Sequence, residues 1–348
     1  MVRPAVAAGL ILAACGGDAA PLPPPVSRAW PVMGTMMSAA AWGADTAGLD
    51  RALDAVRDSV ARIDSLLSTF RDDSEISRLN RDREGGVTAA FGAVLAEALA
   101  VAAASGGAFD PTQRDWRGVR LDTARRTVRL APGLRLDFGG IAKGYALDRA
   151  ALALRGVADS ALLDLGGQFV WIGPATRRTV GIADPENSLR AVAAVEMLGG
   201  SVSTSSQAEQ PGHIVDPRRN AAPAARARSV TVLAPSAMAA DAWSTAFFVL
   251  GCDSALALAP RLARWTLSVV CVDTGGVRWT PDLDGRVFLP TSPDRTGEGE
   301  REEGDGQGEE REEAPARGRT ARAPAPAPAP ARARAGSGSR PRWRDPGS

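Results

Sequence analysis

The chain has 348 residues, 45% of them hydrophobic and 23% charged, with a formal net charge of +1. These are globular proportions, enough for one large domain or two smaller ones, and the near-even charge balance excludes a broad nucleic-acid-binding face. Three cysteines, Cys15, Cys252 and Cys271, form no CxxC pair, which excludes a CxxC zinc or thioredoxin-like motif.

The N-terminus carries Arg3, then a short apolar run over residues 5–14, then Cys15. The run is too short to span a bilayer and reads as a secretory signal over residues 1–14. Its ending, "LAAC", has the form of a bacterial lipobox, which makes Cys15 a lipidation site; the alternative is an ordinary signal peptide cut nearby. Residues 15–28 then serve as a lipidated tether. Such an anchor places the protein in the bacterial cell envelope, on the membrane and facing the periplasm or exterior. The far end, residues 291–348, is rich in Gly, Glu, Arg, Ala and Pro with few apolar side chains. It cannot offset its ordering entropy by burial and is expected to be disordered.

Fold reasoning therefore concerns residues 29–290. Leu49, Leu53, Val56, Val60 and Ile63 recur at helical spacing within residues 47–67. Residues 91–104 read as a second helix. "TVRLAPGLRLDFG" alternates like two short strands around a Pro-Gly turn. Residues 141–154 return to helical spacing. "ALLDLGGQFVWIG" and "SVTVLAP" read as buried strands, and residues 236–251 as a helix closed by glycine. "TLSVVCVDTGGVRWT" looks like a hairpin. Strands and helices do not alternate strictly, so the class is α+β, a single mixed domain. Cys252 and Cys271 are either a disulfide of an oxidising compartment or two buried thiols.

Five stretches can carry chemistry. "LDFGGIAKGYALDRA" holds the chain's one lysine, Lys143, and its one tyrosine, Tyr145. Glycines before a helix expose backbone N–H groups to an anion, and Lys143 adds a compact charge; equally, they permit close helix–sheet packing. It matches neither GxxxxGK[ST] nor GxGxxG. In "AADAWSTAFFVLG", Asp241 and Thr245 lie four apart on one helix face, a hard-oxygen pair suited to Mg²⁺, or simply an exposed face. "HIVDPRRN" holds the lone histidine, His213, before a turn-forming Asp-Pro; it can act as a base on a hydroxyl. "STFRDDSEISRLN" reads as the capped start of a short helix. In "GGAFDPTQRDW", Phe109 can contact a flat ring and Asp110 can accept hydrogen bonds.

Taken in order, "VMGTMM", "FRDDSEISRLN", "GGAFDPT", "LDFGGIAKGYALDRA", "LLDLGGQFVWIG", "HIVDP" and "SVTVLAPSAMAADAWSTAFFVLG" resemble the ApbE-type flavin transferases. The resemblance runs over residues 32–251 and more loosely to about 285. It implies a lipoprotein that moves FMN from FAD onto a Thr or Ser hydroxyl of a target protein and releases AMP, with Mg²⁺ at the pyrophosphate. The implied acceptor is a flavoprotein subunit of a membrane electron-transfer complex. The alternatives are a FAD pyrophosphatase in the same pocket and a flavin-binding lipoprotein without turnover. By the same resemblance, Met33 and Phe70 contact the flavin region. Ala108, Phe109 and Asp110 line the FAD pocket, and Asp137, Lys143 and Ile214 contact FAD. Gly140, through its carbonyl, joins Asp241 and Thr245 around the metal, and His213 is the base.

The sequence departs from this pattern at Arg219 and Asn220, which stand where the family has Thr and Gly. Asn tolerates a left-handed backbone, so the turn is expected to survive. The connection between "STSS" and "HIVDP" is short, which leaves the choice of acceptor open.

Overall fold

The computed structural model describes residues 24–174, 177–208, 212–224 and 227–290. The expected signal peptide, Cys15 and the tail from 291 lie outside the described residues, as does most of the tether. The last residues assigned to that tether belong to the fold. Strand β1 (Val26–Val32) starts at Val26 because it pairs along its whole length with β2 (Thr35–Trp42). Arg28 on β1 also bonds Asp50 at 3.0 Å, tying the strand to helix α1 (Thr46–Leu67).

An eight-stranded sheet organises the domain, with every neighbouring pair antiparallel. Its order is β1, β2, β6 (Ser160–Leu165), β7 (Gln168–Ile172), β10 (Gly200–Ser206), β11 (Ser229–Ala234), β12 (Ser268–Asp273) and β13 (Gly276–Trp279). Alternation assigns one face to the main core: Met37, Ala39 and Ala41 of β2, Leu163 and Leu165 of β6, and Val230 and Val232 of β11. Helices cover that face. α1 buries Leu49, Leu53, Val56, Val60, Ile63 and Leu67, the stripe its spacing implies, and Asp45 caps its start by accepting from the Gly48 amide. The others are α2 (Glu75–Asp82), α3 (Ala89–Ala104), α4 (Ala142–Ala151), α5 (Ala237–Leu250) and α6 (Cys252–Leu258).

The opposite face carries a second, smaller core. Trp171, Val202, Leu233 and Val270 pack there against Val180, Ile182, Val195 and Met197. These last four come from the hairpin of β8 (Arg178–Asp184) and β9 (Asn187–Met197). β11 thus has apolar matter on both sides and is buried at all six positions, which is why it reads as an uninterrupted apolar run. A disulfide joins Cys252 at the start of α6 to Cys271 on β12, deciding between the two readings of those residues.

One expectation fails. "TVRLAPGLRLDFG" is not two strands around its Pro-Gly turn. Its first half is β5 (Thr127–Leu130), which pairs with β4 (Val119–Asp122) and β3 (Glu84–Gly86). The Pro-Gly turn forms, with the Leu134 amide on the Ala131 carbonyl at 3.2 Å and Gly133 at φ +83°. Beyond it, Leu134, Leu136 and Phe138 are buried between exposed neighbours, as in a strand, but no strand pairs with them. The Asn80 side chain takes that place: its Oδ1 accepts from the Leu136 amide at 2.6 Å and its Nδ2 donates to the Leu136 carbonyl at 2.9 Å. The Asp137 amide donates to the Pro111 carbonyl at 2.7 Å. Side-chain and loop partners satisfy this extended segment and leave it free to turn into α4.

α4 crosses α5 at Gly144. A Cβ there would lie 2.2 Å from the Ala237 carbonyl oxygen and 2.7 Å from the Met238 Cα. Both obstacles are backbone, so neither can swing aside. Gly144→Ala is expected to cost about 3 kcal/mol through forced separation of the two helices. A thermal unfolding midpoint equal to that of the parent chain would contradict this contact.

Candidate active site

The same crossing fixes the start of α5. Asp148 on α4 accepts from Ser236 Oγ at 2.7 Å, the Ala237 amide at 2.8 Å and the Met238 amide at 3.0 Å. It is a helix cap delivered from another helix, a carboxylate at the positive end of the α5 dipole. Gln168 of β7 adds a bond from Nε2 to the Ala237 carbonyl at 2.8 Å. Asp241, one turn further along α5 and 4% exposed, returns the contact by accepting from the Gly144 amide at 2.9 Å. Burial pushes the Asp241 carboxyl above the usual carboxylate range, and the Lys143 charge and the Gly144 amide pull the other way.

Thr245 follows one turn after Asp241, as the i, i+4 spacing requires, and faces the Gly139–Gly140 bend. A Cβ on Gly140 would lie 3.0 Å from Thr245 Oγ1 and 3.2 Å from Phe109 Cε2. Gly140, Phe109 and Thr245, distant in sequence, therefore meet at one point. Among the described residues no cluster of three His, Cys, Asp or Glu side chains is placed to hold a metal. The donor set here is mixed instead: one buried carboxylate, one hydroxyl and a backbone carbonyl. These are hard oxygens, and they fit a Mg²⁺-type ion that completes its shell with water or phosphate. Lys143, half-buried at the start of α4, makes no hydrogen bond or ion pair among the described residues. Its charge acts on the Asp241 carboxyl without a direct ion pair.

The loop carrying Ala108, Phe109 and Asp110 is buried at all three positions. Asp110 is occupied internally. Its Oδ1 accepts from the Thr112 amide and hydroxyl, both at 2.7 Å, and its Oδ2 from the Trp116 amide at 3.0 Å. In this state Asp110 organises the loop, and little of its acceptor capacity is left for a ligand. Asp137 is exposed; it holds the Gly139 amide at 2.8 Å and Gln113 Nε2 at 3.1 Å. It thereby shapes the bend that carries Gly140.

The His213 segment is held from two sides. Gln207, just after β10, donates through Nε2 to the Ile214 carbonyl at 2.9 Å, and its Oε1 accepts from the Gly212 amide. Asp216, 2% exposed, accepts from Arg218 Nε at 2.8 Å and NH2 at 2.9 Å. Those bonds hold its carboxyl below the usual range against the opposing effect of burial. Asn220 adopts φ +48°, and the Asp216 amide bonds the Ala221 carbonyl at 2.7 Å, so the turn expected here survives without the family's glycine. Ile214 is buried at 7% while His213 is exposed. Arg218 brings this segment to the Phe109 loop: its Cγ lies 3.6 Å from where a Cβ on Gly107 would stand.

Met33 and Gly34 form the two-residue tip of the β1–β2 hairpin, at φ +51° and +73°. A methionine in the left-handed region is a strained choice, consistent with a demand on its side chain. The neighbouring β6–β7 tip packs against it, with the Gly166 amide on the Met36 carbonyl at 3.1 Å. Phe70 is 98% exposed on the loop between α1 and α2, and no aromatic contact joins it to Phe109.

Sequence reasoning missed Asp148, Gln168, Gln207 and the serines around Thr245. The first turn of α5 has no acidic residue of its own, and Asp148 supplies one from α4, a pairing that no local signal in the sequence marks.

Fold and site together define a mixed α+β protein in which Gly140, Phe109 and Thr245 come together beside the α4–α5 crossing. The chain belongs to the ApbE family, whose model matches residues 33–116 and 112–267. A FAD:protein FMN transferase of Treponema pallidum is 32% identical over 291 residues, covering 67% of this chain and 80% of its own length. The FAD:protein FMN transferase of Haemophilus influenzae is 27% identical, covering 68% and 83%. The fold is shared with the ApbE protein of Thermotoga maritima, at a TM-score of 0.67 and 23% identity over 77% of this chain and 100% of that one. The flavinyl transferase ApbE of Pseudomonas stutzeri gives 0.65 and 24% over 76% and 97%.

Asp148→Ala is expected to cost about 2 kcal/mol, as loss of a charged cap does. Urea unfolding of the variant beside the parent chain checks this; an unchanged midpoint would remove Asp148 from the supports of α5.

Proposed function

We propose that this chain is a FAD:protein FMN transferase that moves FMN from FAD onto a Thr or Ser hydroxyl of a target protein and releases AMP. One observation carries the reading: a Cβ on Gly140 would lie 3.0 Å from Thr245 Oγ1 and 3.2 Å from Phe109 Cε2, so three distant motifs meet there, and the Lys143 charge acts on the Asp241 carboxyl one turn before Thr245. Transfer from a pyrophosphate is mostly positioning and charge neutralisation. The acceptor oxygen bonds to the phosphorus of the FMN half, the bridging P–O bond breaks, and AMP leaves with that bridging oxygen.

The protein's groups have distinct duties in this scheme. Asp241, Thr245 and the Gly140 carbonyl would hold Mg²⁺, which supplies charge neutralisation at the phosphate oxygens when bound. Lys143 adds a compact cation on the same side. Ala108, Phe109 and Ile214 line the flavin nucleotide pocket, with Asp137 in contact with FAD. Met33 and Phe70 approach the flavin ring, and the full exposure of Phe70 fits a ring that gains cover only when a ligand stacks on it. His213 takes the proton of the acceptor hydroxyl. Its exposure suits a protein substrate, which can reach the rim of a cleft but cannot enter it.

The location follows the same reading: a lipid anchor at Cys15 on the envelope membrane, facing the periplasm or exterior. The Cys252–Cys271 disulfide supports an oxidising compartment. The acceptor is then an extracytoplasmic flavoprotein subunit of a membrane electron-transfer complex.

Incubation with FAD, Mg²⁺ and an acceptor bearing a D-x-x-[ST]-G-A-[ST] segment should leave a fluorescent flavin band on the acceptor. FMN and AMP released with no labelled protein would replace transfer by pyrophosphate hydrolysis. His213→Ala should slow labelling by about 10²–10⁴-fold, the usual contribution of a general base, with FAD affinity unchanged. Labelling at the parent rate would remove His213 from the mechanism.

A further inference from the structure

Behind Thr245 lies a row of buried hydroxyls with no place in the chemistry so far. Ser203 and Ser205 sit two apart on β10, so both face α5, at 4% and 9% exposure. Ser244 on α5 is fully buried. Ser244 Oγ lies 2.9 Å from Ser205 Oγ and 3.3 Å from Ser203 Oγ, and Ser205 Oγ lies 3.4 Å from Thr245 Oγ1.

The direction of these bonds can be worked out from one fixed end. Ser244 Oγ donates to the Asp241 carbonyl at 2.9 Å, and a carbonyl can only accept. A hydroxyl has one proton, so Ser244 must accept from its serine neighbours. Ser205 therefore donates to Ser244, and with its proton spent it can only accept from Thr245. The other protein partner of Thr245 Oγ1 is the Asp241 carbonyl at 3.4 Å, again only an acceptor. Both partners draw the Thr245 proton toward the helix and the strand. The oxygen's remaining lone pairs are then turned outward, to the Gly140 side. A hydroxyl that ligates a cation needs this polarity: lone pair on the ion, proton on an acceptor behind it.

We infer that Ser205, its proton held by Ser244, is a positioning residue that polarises the Thr245 hydroxyl for cation binding; this rests on the reading of Asp241, Thr245 and Gly140 as the cation's donors. Ser203 supplies an internal control. It has the same side chain, the same strand face and the same partner Ser244, but it does not touch Thr245. A merely structural role would make the two serines equivalent. A relay to Thr245 makes them different.

The test is a Mg²⁺ titration without FAD, read as the rise in thermal unfolding midpoint with metal concentration. Ser205→Ala should weaken Mg²⁺ by about tenfold, the scale of a lost partner behind a ligand, and Ser203→Ala by no more than about twofold. Ser205→Thr, which keeps the hydroxyl, should restore affinity. If Ser205→Ala does not fold, Ser205→Cys, a weak donor, takes its place with the same expectation. Equal losses from Ser203→Ala and Ser205→Ala, or Mg²⁺ affinity unchanged in Ser205→Ala while Asp241→Asn abolishes binding, would overturn the relay alone. Binding that survives Asp241→Asn would overturn the cation site itself, and the relay with it.

Discussion

The contact on which the site depends is backbone against backbone, where Gly144 of α4 meets Ala237 of α5. No side chain fits between them. This approach lets the Gly144 amide reach Asp241 and lets Asp148 reach the first turn of α5. The two helices are thus joined by a carboxylate from each, pointing in opposite directions. Since α4 begins at the glycine bend and α5 bears Asp241 and Thr245, their relative placement sets the spacing of the oxygen cluster. The sheet contributes through β7 and β10, whose Gln168 and Ser205 touch α5 from beneath.

This arrangement answers a question about the stretch "DFGGIAKGY". Its glycines and its lysine invite two readings, close packing or anion binding. Each reading applies to different residues. Gly144 is there for packing. Gly140 keeps space open between Thr245 and Phe109, and Lys143, between the two glycines in sequence, makes no hydrogen bond or ion pair among the described residues while its charge acts on Asp241. A compact ammonium suits a site where arginine's planar fork would demand paired acceptors in one plane.

α1 was legible because burial repeats at 3.6 residues, and β6, β7, β11, β12 and β13 from their apolar runs and turn signals, whereas β1, β2, β8, β9 and β10 were not read as strands. The turn at Asn220 was legible from backbone tolerance alone. What stayed hidden was long-range polar pairing. The segment 134–138 alternates like a strand, but its backbone partner is a side chain, Asn80, 56 residues away. Asp110 looked like a free acceptor and is consumed by its own loop. Asp148, which no motif singled out, caps a helix 89 residues on. The candidate site itself was legible only through the order of several weak motifs, since Asp and Thr four apart, or one histidine, specify nothing singly. What the fold adds is the meeting of Gly140, Phe109 and Thr245, from three motifs distant in sequence.

The central claim is that Lys143 and the neighbouring oxygens serve a pyrophosphate rather than a packing contact. Lys143→Arg tests it most directly, because it keeps the charge and changes only its shape. Flavin fluorescence titration with FAD and Mg²⁺ should show affinity reduced by about tenfold, roughly 1.4 kcal/mol, with an unchanged unfolding midpoint. FAD affinity and turnover equal to the parent chain would contradict the account and leave this stretch with a packing role alone.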